Sequence, residues 1–384
     1  MKLCCRFTVL ILVLIVTSAD ILACTTFCLK NKDEVLFGKN YDWMIGDGLI
    51  FVNKRGVAKS GTDTSTPAKW TSKYGSVTFN QYGRENPSGG MNEAGLVIEL
   101  MWLEDTVYPK AYGKPVVDVL EWIQYNLDNY ATVGDVVRNA ESTPIVSSVK
   151  IHYLVNDKHG NSATIEFLDG KFVPHTGESL PVAALANDTY AKSLEFSKKN
   201  ISTQGIGSFQ RFTRAAEKTR DYDKKPRTEK ESVDYAFETL ADVAQPGYTQ
   251  WSIVYDQKRA RIYFRTQQSP EIKTVDTRGF DYSCSSMVRS LDIATKTAGD
   301  VTSKFVDYTR AANRDLVERA FTGTPFLKGV PSAVKDRLAS YPETFQCATP
   351  APASGPKNPD SKSSGMIASL GAEIIPFFVK MAYL

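Results

Sequence analysis

Residues 24–43 read CTTFCLKNKDEVLFGKNYDW, and the first of them decides how the chain is read. Ahead of Cys24 stand Lys2 and Arg6, an apolar run from Phe7 to Val16, and the small residue Ala23. A positive end, an apolar core and a small residue before the cut make residues 1–23 a secretory leader. Asp20 interrupts the run too soon for a membrane span. Cleavage after Ala23 makes Cys24 the first residue of an exported chain, secreted or periplasmic. A cysteine whose own nitrogen is a free amine holds a nucleophile and a base within one residue. An unperturbed α-amine titrates at about 8 and a thiol at about 8.5, so both respond near neutral pH.

The rest of the composition narrows the class. With 42% hydrophobic and 11% aromatic residues, the chain can bury a large core. A formal net charge of +3 carries no basic or acidic bias, so no nucleic-acid partner is expected. Cys4 and Cys5 leave with the leader, and Cys24, Cys28, Cys284 and Cys347 remain. They form no CxxC pair and no Cys/His spacing, so no metal or other cofactor is expected. In an oxidising compartment Cys284 and Cys347 can pair, although sequence separation does not decide it. The three histidines argue the same way: His152 falls in an alternating strand and His159 in a hairpin turn, which does not make a shared metal site. No GxSxG elbow is present for a serine hydrolase.

Outward from Cys24, short apolar runs broken by turns predict strands at VLFGKNYDW, LIFVNKRG, SVTFNQYG and GLVIELMWL. Val117, Leu120, Ile123 and Leu127 recur at helical spacing, and a shorter helix is expected over 133–141. SVKIHYLVND and SATIEFLDG predict a hairpin, and Val233, Phe237, Leu240 and Val243 mark a helix stopped at Pro246-Gly247. WSIVY and ARIYF read as paired strands, followed by terminal helices around 305–320 and 330–341. This order suits two packed sheets with helices outside, an α+β fold. Residues 349–365 form a Pro/Ser-rich linker, and the apolar tail 366–384 is a candidate membrane attachment, although Glu373, Pro376 and Lys380 argue against a spanning helix.

Five segments in order resemble the choloylglycine hydrolase and penicillin V acylase family of N-terminal cysteine hydrolases, over residues 24 to about 270. In CTTF, the resemblance implies that Cys24 is the nucleophile. In FGKNYDW it implies that Asp42 orients the α-amine, while Lys39 stands where the family has arginine. GGMNEAGLVIELMWL places Trp102 where its backbone N–H donates to the oxyanion, and an aromatic side chain there favours the acylase branch. ALANDTY aligns Asn187 with the second oxyanion donor, and SFQRFTR aligns Arg211 with the arginine that closes the network. The weaker match TQWSIVYD puts Thr249 and Trp251 on a core strand.

The resemblance implies a four-layer αββα sandwich over residues 24–348, hydrolysing small-molecule N-acyl amides. Tyr41, Trp43 and Trp102 suggest an aromatic or flexible acyl pocket, although Trp43 and Trp102 are expected to be core residues in any case. Bile salt hydrolysis and an N-acylethanolamine or ceramide amidase are the alternatives within the class. The alternative outside it is a catalytically inactive binding protein lipid-anchored at Cys24. Taken singly, Lys39 and Asp42 could be a strand salt bridge and Arg211 a solvated helix residue.

Overall fold

The strand Val35–Asp42 is buried at all eight of its positions, which requires cover on both faces of its sheet. The computed structural model describes residues 24–62, 66–199 and 201–349, and it supplies that cover as two sheets face to face with helices outside. The leader 1–23, the linker from residue 350 and the tail 366–384 lie outside the described residues.

The chain begins with β1 (Thr25–Lys30), β2 (Val35–Asp42), β3 (Leu49–Asn53), β4 (Val57–Ser60), β5 (Lys69–Thr71), β6 (Ser76–Asn80), β7 (Gly89–Asn92) and β8 (Val97–Trp102). Helices α1 (Val119–Asn129) and α2 (Val133–Asn139) follow, then β9 (Ile151–Asn156), β10 (Ser162–Leu168), β11 (Lys171–Thr176) and β12 (Ala184–Leu185). Next come α3 (Tyr190–Ser197), α4 (Ser208–Tyr222) and α5 (Glu229–Asp242), and the strands β13 (Thr249–Asp256), β14 (Arg261–Thr266) and β15 (Lys273–Asp276). The last part adds β16 (Arg289–Asp292), β17 (Gly299–Asp300), β18 (Val306–Asp307), α6 (Arg310–Gly323), α7 (Ser332–Ser340) and β19 (Gln346–Cys347).

One sheet runs β12-β1-β2-β13-β14-β15-β17, the other β11-β10-β9-β8-β7-β6-β3-β16-β18. Between them Phe79 of β6 meets Tyr255 of β13 and Phe264 of β14 edge-on, with ring centres 6.1 and 5.7 Å apart. On the helix-facing side of the first sheet Gly38 makes room for Phe27, whose ring a Cβ there would meet at 2.3 Å. On the outer face of the first sheet Phe212 and Ala215 of α4 and Phe237 and Leu240 of α5 are buried. Outside the second, Trp122 of α1 stacks on Tyr153 of β9 at 4.4 Å. The start of α1 is set by a capping box between Asp118 and Glu121. These are the four layers expected, helix, sheet, sheet, helix.

Two expectations change in the last third. The helix read from 305 begins at Arg310, where the Thr309 side chain accepts from Ala312 N–H, and Phe305 instead packs against Phe280 at 4.8 Å. The segment before it contributes β16 and β18 to the edge of the second sheet, and β19 joins β4 and β5 in a small third sheet. Cys284 and Cys347 are bonded across 63 residues, enclosing α6 and α7. Replacing both by serine is expected to cost about 2–4 kcal/mol, because the unfolded chain regains the entropy of that loop. Urea unfolding of the double variant measures it.

Candidate active site

The pairing of β1 with β2 puts Thr25 opposite Asn40 and Thr26 opposite Lys39, so one step further Cys24 stands opposite Tyr41. Directly opposed residues share a face. Lys39 and Tyr41 therefore point between the sheets with Cys24, while Asn40 and Asp42 point toward the helices, where Asn40 Nδ2 donates to Leu240 O at 2.7 Å. Cys24 is 4% exposed, and its Sγ lies 4.0 Å from Asp42 O.

Lys39 does not pair with Asp42. Its ammonium donates to Leu100 O and lies 3.8 Å from Glu99 Oε2, while Tyr255 O–H donates to Glu99 Oε1 at 2.5 Å. All three side chains are buried between the sheets. Burial pushes Glu99 up to about 7, against the pull of Lys39 and Tyr255. Burial also pushes the Cys24 thiol up, opposed most by the charge of Lys39. The lysine therefore puts a buried positive charge near the thiol and uses Glu99 as its counter-ion.

Asp42 is gripped from the helix side. Thr249 Oγ1 donates to its Oδ1 at 2.5 Å, and Gln245 Nε2 to its Oδ2 at 3.0 Å. Burial raises its carboxyl to about 6, although Arg211, Thr249, Gln245 and Lys39 all pull it down. In the chain with residues 1–23 still attached, the folded state thus holds the Asp42 proton more tightly than the unfolded chain does. Stability falls as pH rises from about 4 to about 6 and stays reduced above. Asp42→Asn in that chain is expected to gain about 1–3 kcal/mol at pH 8 and to lose the gain toward pH 4, as read from urea unfolding at the two pH values.

Arg211, on α4, is fully buried, not solvated. Its guanidinium donates to Cys24 O at 2.8 Å, to Thr25 Oγ1, to Asn187 Oδ1 at 3.1 Å and to Ile206 O at 2.9 Å. It ties the nucleophile candidate to Asn187. Asn187 is held further by Ser208 Oγ, which accepts from its backbone N–H at 2.9 Å, and its Nδ2 donates to Trp102 O at 2.8 Å. An amide nitrogen carries two hydrogens, so one of them remains for a ligand. On β8, Leu103 N–H bonds Lys150 O and Leu100 N–H bonds Ser88 O. Amides alternate between the two edges of a strand. Trp102 N–H therefore points away from β9, past the end of β7, toward the same pocket.

That pocket is lined by Cys24, Tyr41, Trp43, Tyr82, Leu100, Trp102 and Phe326 among others, and its wall is almost wholly apolar. Trp43 and Trp102 are partly exposed at its surface and are not core residues. Each is fixed by its indole N–H, Trp43 on Tyr82 Oη at 2.8 Å and Trp102 on Glu104 Oε2 at 3.1 Å. Tyr41 stacks on Trp251 at 4.4 Å and donates to Gln81 Oε1 at 2.9 Å. Phe326 stands edge-on to Trp43 at 6.3 Å, with 45% of its surface exposed. Sequence reading missed Phe326, Tyr82, Glu99 and Gln245. Glu99 had a signal: it is the single charge in the otherwise apolar strand Val97–Trp102, and a buried carboxylate calls for a cationic partner.

Among the described residues no group of three or more His, Cys, Asp or Glu is placed to hold a metal ion. The family model for linear amide C–N hydrolases of the choloylglycine hydrolase family matches residues 24–198, starting at Cys24 itself. Over that stretch, just under half of the chain, the sequence is similar to the choloylglycine hydrolase family. The protein is an amidohydrolase acting on linear amide C–N bonds. A penicillin V acylase from Pectobacterium atrosepticum is 28% identical, over 69% of this chain and 84% of that one. The solved penicillin V acylase of Agrobacterium tumefaciens is 29% identical with a TM-score of 0.65, covering 74% of this chain and 98% of its own. A conjugated bile acid hydrolase variant from Clostridium perfringens shares the fold at 18% identity and a TM-score of 0.58, covering 71% and 98%.

Proposed function

We propose that this amidohydrolase is exported and acts on N-acyl amides with a penicillin V acylase-like preference, using Cys24 as an N-terminal nucleophile once residues 1–23 are removed. The observation that carries the reading is that Cys24 and Trp102 line one apolar aromatic pocket, while Arg211 ties Asn187 to Cys24 and the Asn187 amide donates to Trp102 O.

The Cys24 sulfur attacks the amide carbonyl and forms a C–S bond, and its proton passes to the α-amine. The carbonyl oxygen takes the negative charge and receives hydrogen bonds from Asn187 Nδ2 and Trp102 N–H. The C–N bond breaks as the α-ammonium returns the proton to the leaving amine. Water, deprotonated by the same α-amine, then displaces the sulfur and releases the acid. Asp42 holds the amine, and the ammonium form draws the Asp42 carboxyl back toward its ordinary range. Lys39 and Arg211 keep positive charge beside the thiolate. In the uncut chain the Cys24 nitrogen is a peptide amide and offers no base.

Trp43, Trp102 and Phe326 fit a flat aromatic or flexible acyl group better than a steroid. The test is a panel of penicillin V, fatty-acyl homoserine lactones and glycine or taurine conjugates of bile acids. The highest kcat/KM is expected for penicillin V, and Phe326→Ala should raise its KM about 3- to 10-fold. Preference for the bile conjugates would move the chain to the other branch of the family. Hydrolysis of none of these by the trimmed chain would support the binding-protein alternative.

A further inference from the structure

The segment that carries Asn187 is held at both ends by one buried pair. His152 on β9 and Glu166 on β10 are fully buried, and the strand register places them opposite each other. His152 Nδ1 lies 3.2 Å from Glu166 Oε1, and His152 Nε2 lies 2.8 Å from Ala186 O, the carbonyl just before Asn187. Each ring nitrogen therefore has an oxygen within hydrogen-bond reach. The same Glu166 Oε1 accepts the backbone N–H of Tyr190 at 2.8 Å, the first residue of α3 and three places after Asn187. His175 Nε2 stands 3.5 Å from the other oxygen, and its ring packs on Tyr190 at 4.9 Å.

We propose that His152 and Glu166 are positioning residues that clamp the Ala186–Tyr190 turn and so hold Asn187 Nδ2 aimed at the oxyanion. The inference rests on the role assigned to Asn187 above. Neither residue lines the pocket or touches Cys24, so the effect passes through the backbone on either side of Asn187. Burial alone would raise the Glu166 carboxyl, but His152, the nearby His175 ring and the Tyr190 amide hold it down to about 2. An ionised carboxylate can face three donors at once. Glutamine of the same shape presents one oxygen and an NH2 that itself needs an acceptor, so Glu166→Gln releases at least one grip.

The test compares Glu166→Gln, His152→Asn and Asn187→Ala in the trimmed enzyme with penicillin V. Glu166→Gln and His152→Asn are expected to lower kcat about 10-fold or more, with KM within about 2-fold and the rate of Cys24 alkylation by iodoacetamide unchanged. In an Asn187→Ala background, Glu166→Gln should cause no further loss, because the donor it positions is gone. A wild-type kcat in Glu166→Gln would overturn the clamp, as would a loss that multiplies with that of Asn187→Ala. A parallel fall in alkylation rate would also overturn it, by showing general loosening of the site. If His152→Asn does not fold, the isosteric Glu166→Gln decides. A wild-type kcat in Asn187→Ala itself would instead sink the oxyanion assignment, and the clamp with it.

Discussion

Cys24→Ala is expected to lower kcat for amide hydrolysis by about four orders of magnitude or more, with an unchanged fold. No other thiol can take over. Cys28, the other free cysteine among the described residues, lies further along β1, and burial pushes its thiol up to about 12. Methyl in place of thiol at a site already 4% exposed leaves β1 paired with β2 and the Arg211 contact to the residue 24 carbonyl intact. The loss is thus chemical rather than structural. Steady-state rates alongside urea unfolding separate the two, and a variant that kept more than about a hundredth of the activity would require another nucleophile.

Asn187→Ala is expected to lower kcat about 10²- to 10³-fold. The loss is smaller than for Cys24 because Trp102 N–H, a backbone donor that no side-chain change removes, still faces the pocket. KM should change little, since the amide donates to an oxygen whose charge appears only in the transition state. A secondary effect is built in. Arg211 loses Asn187 Oδ1 but keeps Cys24 O, Thr25 Oγ1 and Ile206 O, so the guanidinium stays satisfied and the enzyme folds. A rise in KM with kcat unchanged would place Asn187 in substrate binding alone.

Much of this site could be read from the sequence because its parts sit on regular strands. The run VLFGKNYDW reads as the strand that carries Lys39 and Asp42, and the α1 stripe at 117–127 marks the helix that covers the second sheet. What could not be read depends on contacts between distant segments. Lys39 and Glu99 are 60 residues apart in sequence and belong to facing sheets, so the sequence suggested Asp42 as the lysine's partner. His152 and Glu166 looked like ordinary members of a hairpin until Ala186 and Tyr190 were packed above them. Phe326 lies beyond the matched region and reaches the pocket because α6 folds back over it. The two-residue strands β17 and β18 have no period to detect, and only pairing with neighbours defines them.

The central claim is that removal of residues 1–23 creates the catalytic base. Intact mass of the exported protein, taken together with the activity of each species present, tests it most directly. The account predicts that every active molecule begins at an unmodified Cys24 with a free amine, and that the uncut chain hydrolyses no amide. Activity in the uncut chain, or in a chain whose Cys24 amine is acylated, would contradict it.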